Sequence, residues 1–378
     1  MKKYVFILSG CCLIASQIRA EDWAKSYQDF KKRLQTETGL SYSLDASFLP
    51  QRGNPDGSQT AWQSQYYGTA NWDIFDSKTW GQGSIQLAYT AVRYWGITAD
   101  ELSNRIGVIS SINDYPTPVN NFDQLSYTQV LGGKLSDFSI TLGQFPLYNF
   151  DGGDYNANQQ INFLNFALSQ NASSVYPTAS LGGFITYTPN SKFSFSLGMQ
   201  DANNVSGETI SSHDFSKGNY TTFASISWTP TLFKQAGQYS LLVYNQPKVD
   251  NQPVHSQGWS LNLQQNITEK VALFGRINGT NKNQNSITQS YVLGGVINNP
   301  LDRNSLDQIG TAVAFNKLNK QTNGVNTRSW EEVWETYWAL GFSNFLTITP
   351  DIQFYINPGA DKNNKTAMAL SLRATFMF

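Results

Sequence analysis

Met368-Ala369-Leu370-Ser371-Leu372-Arg373-Ala374-Thr375-Phe376-Met377-Phe378 is the stretch that decides the fold. Its even positions carry Met, Leu, Leu, Ala, Phe and Phe; its odd positions carry Ala, Ser, Arg, Thr and Met. A period of two sends alternate side chains to opposite faces of an extended strand. One apolar and one mostly polar face, sustained over about ten residues, is what a strand needs to cross a membrane in a closed barrel. A soluble sandwich strand would show the same alternation, but would not explain its recurrence to both ends of the chain.

The pattern does recur. Leu40, Tyr42, Leu44, Ala46 and Phe48 alternate with Ser41, Ser43, Asp45 and Ser47. Phe193, Phe195, Leu197 and Met199 alternate with Ser194, Ser196, Gly198 and Gln200. Val271, Leu273, Gly275 and Ile277 leave Arg276 and Asn278 on the other face. Counting every such run predicts sixteen strands, near 40–49, 61–75, 80–94, 122–131, 136–145, 180–188, 193–200, 219–229, 237–245, 257–266, 270–279, 288–298, 306–316, 332–342, 345–356 and 366–378. The number is even, as bacterial barrels require. Links after even-numbered strands are short, such as 189–192 and 343–344, whereas those after odd strands are mostly longer, up to the 34 residues from Pro146 to Ala179. Short periplasmic turns alternating with longer outer loops is the barrel's own asymmetry, and it places both termini in the periplasm. The expected fold is an all-β, antiparallel outer-membrane barrel over 40–378.

Composition agrees. The 378 residues are 40% hydrophobic, 14% aromatic and only 14% charged, with a net charge of −1. Ordinary soluble proteins carry about 25% charged residues, yet this chain is not greasy: its mean hydropathy is −0.37. Near-neutrality excludes electrostatic nucleic-acid binding. Residues 1–20 read as a cleaved signal peptide, with Lys2 and Lys3 before an apolar run and Ala20 before Glu21. Leu8-Ser9-Gly10-Cys11 fits a lipobox, but only seven residues separate Lys3 from Cys11. Cys11 and Cys12 are the only cysteines, so nothing after residue 20 can form a disulfide. Loss of Lys2, Lys3 and Arg19 takes the net charge from −1 to −4. Over 21–39, Trp23, Tyr27, Phe30 and Leu34 recur at helical spacing, predicting a short amphipathic periplasmic helix ended by Gly39.

Three segments carry a family resemblance. Tyr176-Pro177 leads into Leu181-Gly182-Gly183-Phe184 and Tyr187-Thr188-Pro189-Asn190, followed by Leu197-Gly198-Met199-Gln200-Asp201. Thr349-Pro350-Asp351-Ile352-Gln353-Phe354 continues into Tyr355-Ile356-Asn357-Pro358-Gly359-Ala360. Arg33-Leu34 and Gly39-Leu40 open the first strand. In these the chain resembles the carbohydrate-selective porin (OprB) family. The resemblance implies a sixteen-stranded outer-membrane porin that passes mono- or oligosaccharides, often as a homo-oligomeric trimer in outer-membrane lipid. Trp23 is followed by Ala24-Lys25-Ser26 rather than the family's glycine-rich motif, so the resemblance does not specify the sugar.

Candidate site residues follow from faces and loops. The alternation sends Asp45, Arg276, Glu335 and Arg373 to the lumen. An arginine facing lipid at mid-bilayer would cost about 2–4 kcal/mol; inward, its five donors suit sugar hydroxyls or a lumen carboxylate. Loop 146–179 is the third outer loop, the one that general porins fold inward as a constriction, and it carries Asp151-Gly152-Gly153-Asp154-Tyr155. Asp151, Asp154 and Tyr155 are therefore expected on the substrate path. Asp151 and Asp154 are also weak Ca²⁺ candidates, oxygen ligands around a flexible Gly pair, although the twelve-residue calcium pattern is absent. No cofactor is expected. An enzyme is disfavoured: His213 and His255 are the only histidines, and both fall in loops, so no wall triad can form. Gly294-Gly295 are strand glycines, not a phosphate loop. A general or ion-selective porin of the same architecture stays open as an alternative, and a surface adhesin would need a larger outer domain.

Overall fold

The computed structural model describes residues 25–203, 207, 209–210, 215–250, 252–282 and 284–378. The signal-peptide reading, Trp23 and His213 lie outside these residues. Sixteen strands form the wall: β1 (Leu40–Asn54), β2 (Thr60–Ser77), β3 (Gly81–Gly96), β4 (Val119–Val130), β5 (Phe138–Phe145), β6 (Ser180–Asn190), β7 (Phe193–Asp201) and β8 (Tyr220–Trp228). The second half is β9 (Gln235–Gln246), β10 (Ser256–Asn266), β11 (Val271–Thr280), β12 (Ile287–Asn298), β13 (Gln308–Leu318), β14 (Trp330–Ser343), β15 (Leu346–Ile356) and β16 (Thr366–Met377). Each pairs antiparallel with its sequence neighbours, and β1 closes on β16 through Asp45↔Met377 to Asn54↔Met368. A two-residue strand, Thr231–Leu232, adds a small ladder within the turn after β8. The sixteen runs read from the sequence are these strands, within a few residues at most ends; β1 runs five residues further.

The two faces separate as the alternation requires. On β16, Leu370, Leu372 and Phe376 are 47, 50 and 40% exposed on the outside, while Arg373 and Thr375 are 1 and 0% exposed inside. Outward aromatics gather at both rims. Phe48 lies against Trp62 and Trp95 near the long loops. Phe193 stacks on Trp228 near the short turns, completing the second interfacial girdle.

A helix, α1, covers residues 25–38. Gly39 ends it with φ +75°, where its N–H donates to Gln35 O. The helix leans on the turn-end rim. Tyr27 meets Tyr42 and Phe378 edge-on at 6.5 and 6.4 Å, Lys31 Nζ sits 5.3 Å from the Tyr42 ring, and Trp72 Nε1 donates to Thr38 O.

Inward glycines are spaced for large neighbours. A Cβ on Gly310 would come within 2.4 Å of the Tyr337 ring, and one on Gly294 within 2.3 Å of Phe274. These two aromatics lie flat across adjacent strands, inside the barrel. They form a floor against which Phe163 of a long loop rests.

Candidate functional site

Loop 146–179 passes through the barrel interior and is bound to inward wall residues along its length. Asn262 Nδ2 donates to Asp151 Oδ1 at 3.0 Å; Asn171 Nδ2 and Tyr176 OH donate to its other oxygen at 2.7 and 2.9 Å. Asp154 is fastened to Gln264, whose Nε2 donates to the carboxylate while its Oε1 accepts from the Asp154 N–H, both at 2.9 Å. Tyr155 OH accepts from Asn298 Nδ2 at 2.9 Å. Arg276 donates from Nε to Asn262 Oδ1 at 2.8 Å and from Nη2 to Asn156 O at 2.6 Å. Arg373 donates to the carbonyls of Gln159 and Asn162. Glu335 accepts from the N–H groups of Leu164 and Asn165 at 2.5 and 2.8 Å.

Asp151, Arg276, Glu335 and Arg373 are 2, 0, 0 and 1% exposed. These four sequence candidates meet loop and wall, not open channel. Asp45 and Tyr155 are half-buried and Asp154 is exposed, so these three retain a surface for solute. The two calcium candidates do not converge: Asp151 is bound to Asn262 on β10 and to Asn171 and Tyr176 of its own loop, whereas Asp154 is bound to Gln264. Among the described residues no group of three or more His, Cys, Asp or Glu side chains is placed to hold a metal.

A second loop, 97–118, also enters, which the strand count alone did not suggest. Its helix α2 (Ala99–Ile106) starts with a capping box, Thr98 accepting from the Glu101 N–H and Glu101 from the Thr98 N–H. α2 lies on β1: a Cβ at Gly53 would be 2.5 Å from Ile106. Beyond it, Ile112 O accepts from Gln51 and Gln353, and Glu331 accepts from the N–H groups of Ile109 and Ser110. Leu102, Ile106, Val108 and Ile112 join Phe163, Ala167 and Leu168 of the longer loop in one apolar core. The floor of that core is the inward face of β11–β16, including Phe274, Val292, Ala312, Val333 and Tyr337. Phe163 touches Phe274 and Tyr337 with ring centroids 5.5 and 4.9 Å away.

The opposite wall is lined differently. Hydroxyls and amides form a band over β1–β7, with Ser43 bonded to Thr69, Thr128 to Thr141 and Gln86, and Thr186 to Ser196. Above this band stand Tyr67, Asp114, Tyr115 and Tyr148, each half-buried, beside Asp123, whose carboxylate accepts from Thr90. Enclosure, eased by a hydrogen bond from Gln170 Nε2, pushes Asp114 up to about 7. Burial first, and then the charge of Asp123, holds the phenols of Tyr115 and Tyr148 well above their ordinary value. This acidic and phenolic group was not read from the sequence, since Asp114, Tyr115 and Tyr148 lie in loops and Asp123 sits beside a β-bulge. One signal was available for the cover that residues 166–169 of the longer loop give β12 and β13. Val292, Val296, Ala312 and Ala314 make both faces of β12 and β13 apolar, which a water-filled lumen would not allow uncovered.

Comparison with known proteins fits this geometry. Residues 65–378 match the model of the family described as "Carbohydrate-selective porin, OprB family". Curated proteins called "Porin AaxA" are similar: that of Chlamydia abortus is 38% identical over 91% of this chain and 78% of its own, and that of Chlamydia pneumoniae 39% over 89% and 79%. Among solved structures, the high-pH structure of Pseudomonas putida OprB superimposes with a TM-score of 0.75 at 18% identity, covering 93% of this chain and 97% of that one. Its low-pH structure gives 0.59 at 16% identity, over 93% and 96%.

Proposed function

Because the chain belongs to the carbohydrate-selective porin (OprB) family, an outer-membrane channel family, we propose that it passes mono- or oligosaccharides by passive diffusion along the hydroxyl-lined side of its lumen. One observation carries the reading: the open wall is furnished with Ser, Thr, Gln and Tyr, while both lumen arginines are withdrawn into loop anchors. Such groups replace part of a sugar's hydration without a Coulombic barrier. Loop 146–179 is the constriction in this reading, and Asp45, Asp154 and Tyr155 are the sequence candidates that contact solute. Removal of residues 1–20, the short turns facing the periplasm and trimeric assembly belong to the same reading, supported by the basic and apolar start of the chain, the turn–loop parity and the family resemblance.

A second reading, a cation-preferring pore, is favoured by the carboxylates of Asp45, Asp114 and Asp123 near the path, while Arg276 and Arg373 are bound to loop carbonyls. Liposome swelling over a graded series of sugars, with reversal potentials in a salt gradient, separates the two. Swelling that falls with sugar size, together with weak ion preference, supports the first. A strong cation preference with no sugar entry supports the second.

A further inference from the structure

Strand β14 presents Glu331 and Glu335 four residues apart on its inward face, both 0% exposed. Each carboxylate grips two successive backbone N–H groups, but on different loops. Glu331 takes Ile109 at 2.8 Å and Ser110 at 2.7 Å, with Gly359 N–H at 2.6 Å as a third donor. Glu335 takes Leu164 and Asn165. A carboxyl that accepts from two successive N–H groups fixes direction as well as distance, and leaving either buried donor unmet is costly. Between the two grips the loops are joined. Ser110 Oγ donates to Asn165 Oδ1 at 2.8 Å; Asn165 Nδ2 donates to Tyr355 OH at 2.8 Å and to Ser111 O at 3.0 Å. Further along, the Asp114 N–H donates to Gln159 Oε1 at 2.7 Å.

We propose that Glu331 and Glu335 are positioning residues that bind loops 97–118 and 146–179 into one rigid insert, so that releasing either carboxylate grip widens the aperture of the channel. The aperture half rests on the diffusion reading above; the coupling half does not. A glutamine at either position keeps the shape and one acceptor, but turns an NH₂ donor toward the second loop N–H. That N–H then lies buried without a partner, and the local opening of its loop becomes easier. If the insert moves as one body, loosening either grip loosens both loops.

Residues 25–378 contain no cysteine, so single cysteines can report each loop. Val108→Cys on the shorter loop and Ala167→Cys on the longer replace side chains that are 2 and 0% exposed. With Cys11 and Cys12 replaced by alanine, both reporters should resist a water-soluble maleimide in the otherwise unaltered barrel. Glu335→Gln, whose loop contacts are all with the longer loop, should speed labelling of the Val108→Cys reporter about tenfold or more, the change expected from leaving one buried N–H without its acceptor. Glu331→Gln should do the same for the Ala167→Cys reporter. Labelling confined to the loop whose own grip was altered would overturn the coupling. Heat-modifiability verifies the folded barrel; Glu335→Asp, which keeps the carboxyl but shortens its reach, serves if the glutamine variant fails to fold, with the same two outcomes. In liposome swelling, both glutamine variants should admit larger sugars than the parent. An unchanged size limit beside faster labelling would overturn the aperture claim alone. If the parent admits no sugar at all, the labelling still decides the coupling.

Discussion

The two halves of the barrel interior are built from the same strand pattern to opposite ends. Along β11–β16 the inward face is an apolar patch of Ala, Val, Phe and Tyr set among the polar loop anchors Arg276, Glu331, Glu335 and Arg373, covered by two loops and sealed into a core. Along β3–β8 a band of Ser, Thr and Gln is bonded across strands and left partly open, and only where Leu147, Phe150, Val175 and Tyr176 of the longer loop land do Phe145, Phe184 and Phe223 replace it. The outer faces of both halves are equally apolar, because both meet lipid. What differs is the inner solvent: protein on one side, water on the other. Inward polarity in a barrel therefore records what fills the lumen at that point, and an apolar inner face marks the landing place of a loop.

The strongest way to break this comparison is to take the covering away. Deleting residues 155–172 strips Phe163, Ala167 and Leu168 from the β11–β16 wall. Conductance should rise severalfold and the sugar size limit should disappear. A folded deletion variant with parental conductance would mean that the loop does not restrict the path.

A milder pair of substitutions sets the halves against each other. Phe163→Ala leaves a void between Phe274 and Tyr337, and should cost about 3–5 kcal/mol in unfolding free energy. Thr128→Val on the open wall removes hydroxyl bonds to Gln86 and Thr141 that remain water-accessible, and should cost about 1 kcal/mol or less. Equal losses in denaturant titrations would mean that the two interiors are packed alike.

The smallest expected effect is a pH dependence. Asp114 is pushed up to about 7, so it is neutral in acid and gains its charge as pH rises through that value. Cation preference, read from reversal potentials, should grow from about pH 6 to about 8 and should stay flat over that window in Asp114→Asn. The linkage to stability has the same origin. Enclosure favours the protonated form, so its stabilising contribution is complete below the ordinary carboxylate range and is lost as pH rises through about 7. A preference that falls with rising pH would contradict the sign.

Much of the wall was legible in the chain, and the reason is local. Alternation such as Leu370-Ser371-Leu372-Arg373 depends only on neighbours two residues apart and a lipid phase of fixed polarity. Arg276, Glu335 and Arg373 were assigned inward correctly on that ground. Their partners were not legible, because the carbonyls of Asn156, Gln159 and Asn162 belong to a loop whose path depends on contacts over a hundred residues away. The loop over 97–118 was missed although its parts were present. Thr98 and Glu101 spell a capping box, and Leu102, Ile106 and Ile112 needed cover that only an apolar inner wall could offer. Asp151 and Asp154 looked like a pair by spacing; in three dimensions they are fastened to different strand residues.

Blocking current from either side of the lumen tests most directly where the path runs. Single cysteines at Thr128 and Ser225 on the open wall, and at Ala312 and Val333 on the covered wall, can each be treated with a bulky water-soluble thiol reagent during single-channel recording. The account expects stepwise block at Thr128→Cys and Ser225→Cys and none at Ala312→Cys or Val333→Cys. Block at Ala312→Cys or Val333→Cys, as fast as on the other side, would show an open path along β13 and β14 and contradict the division of the interior.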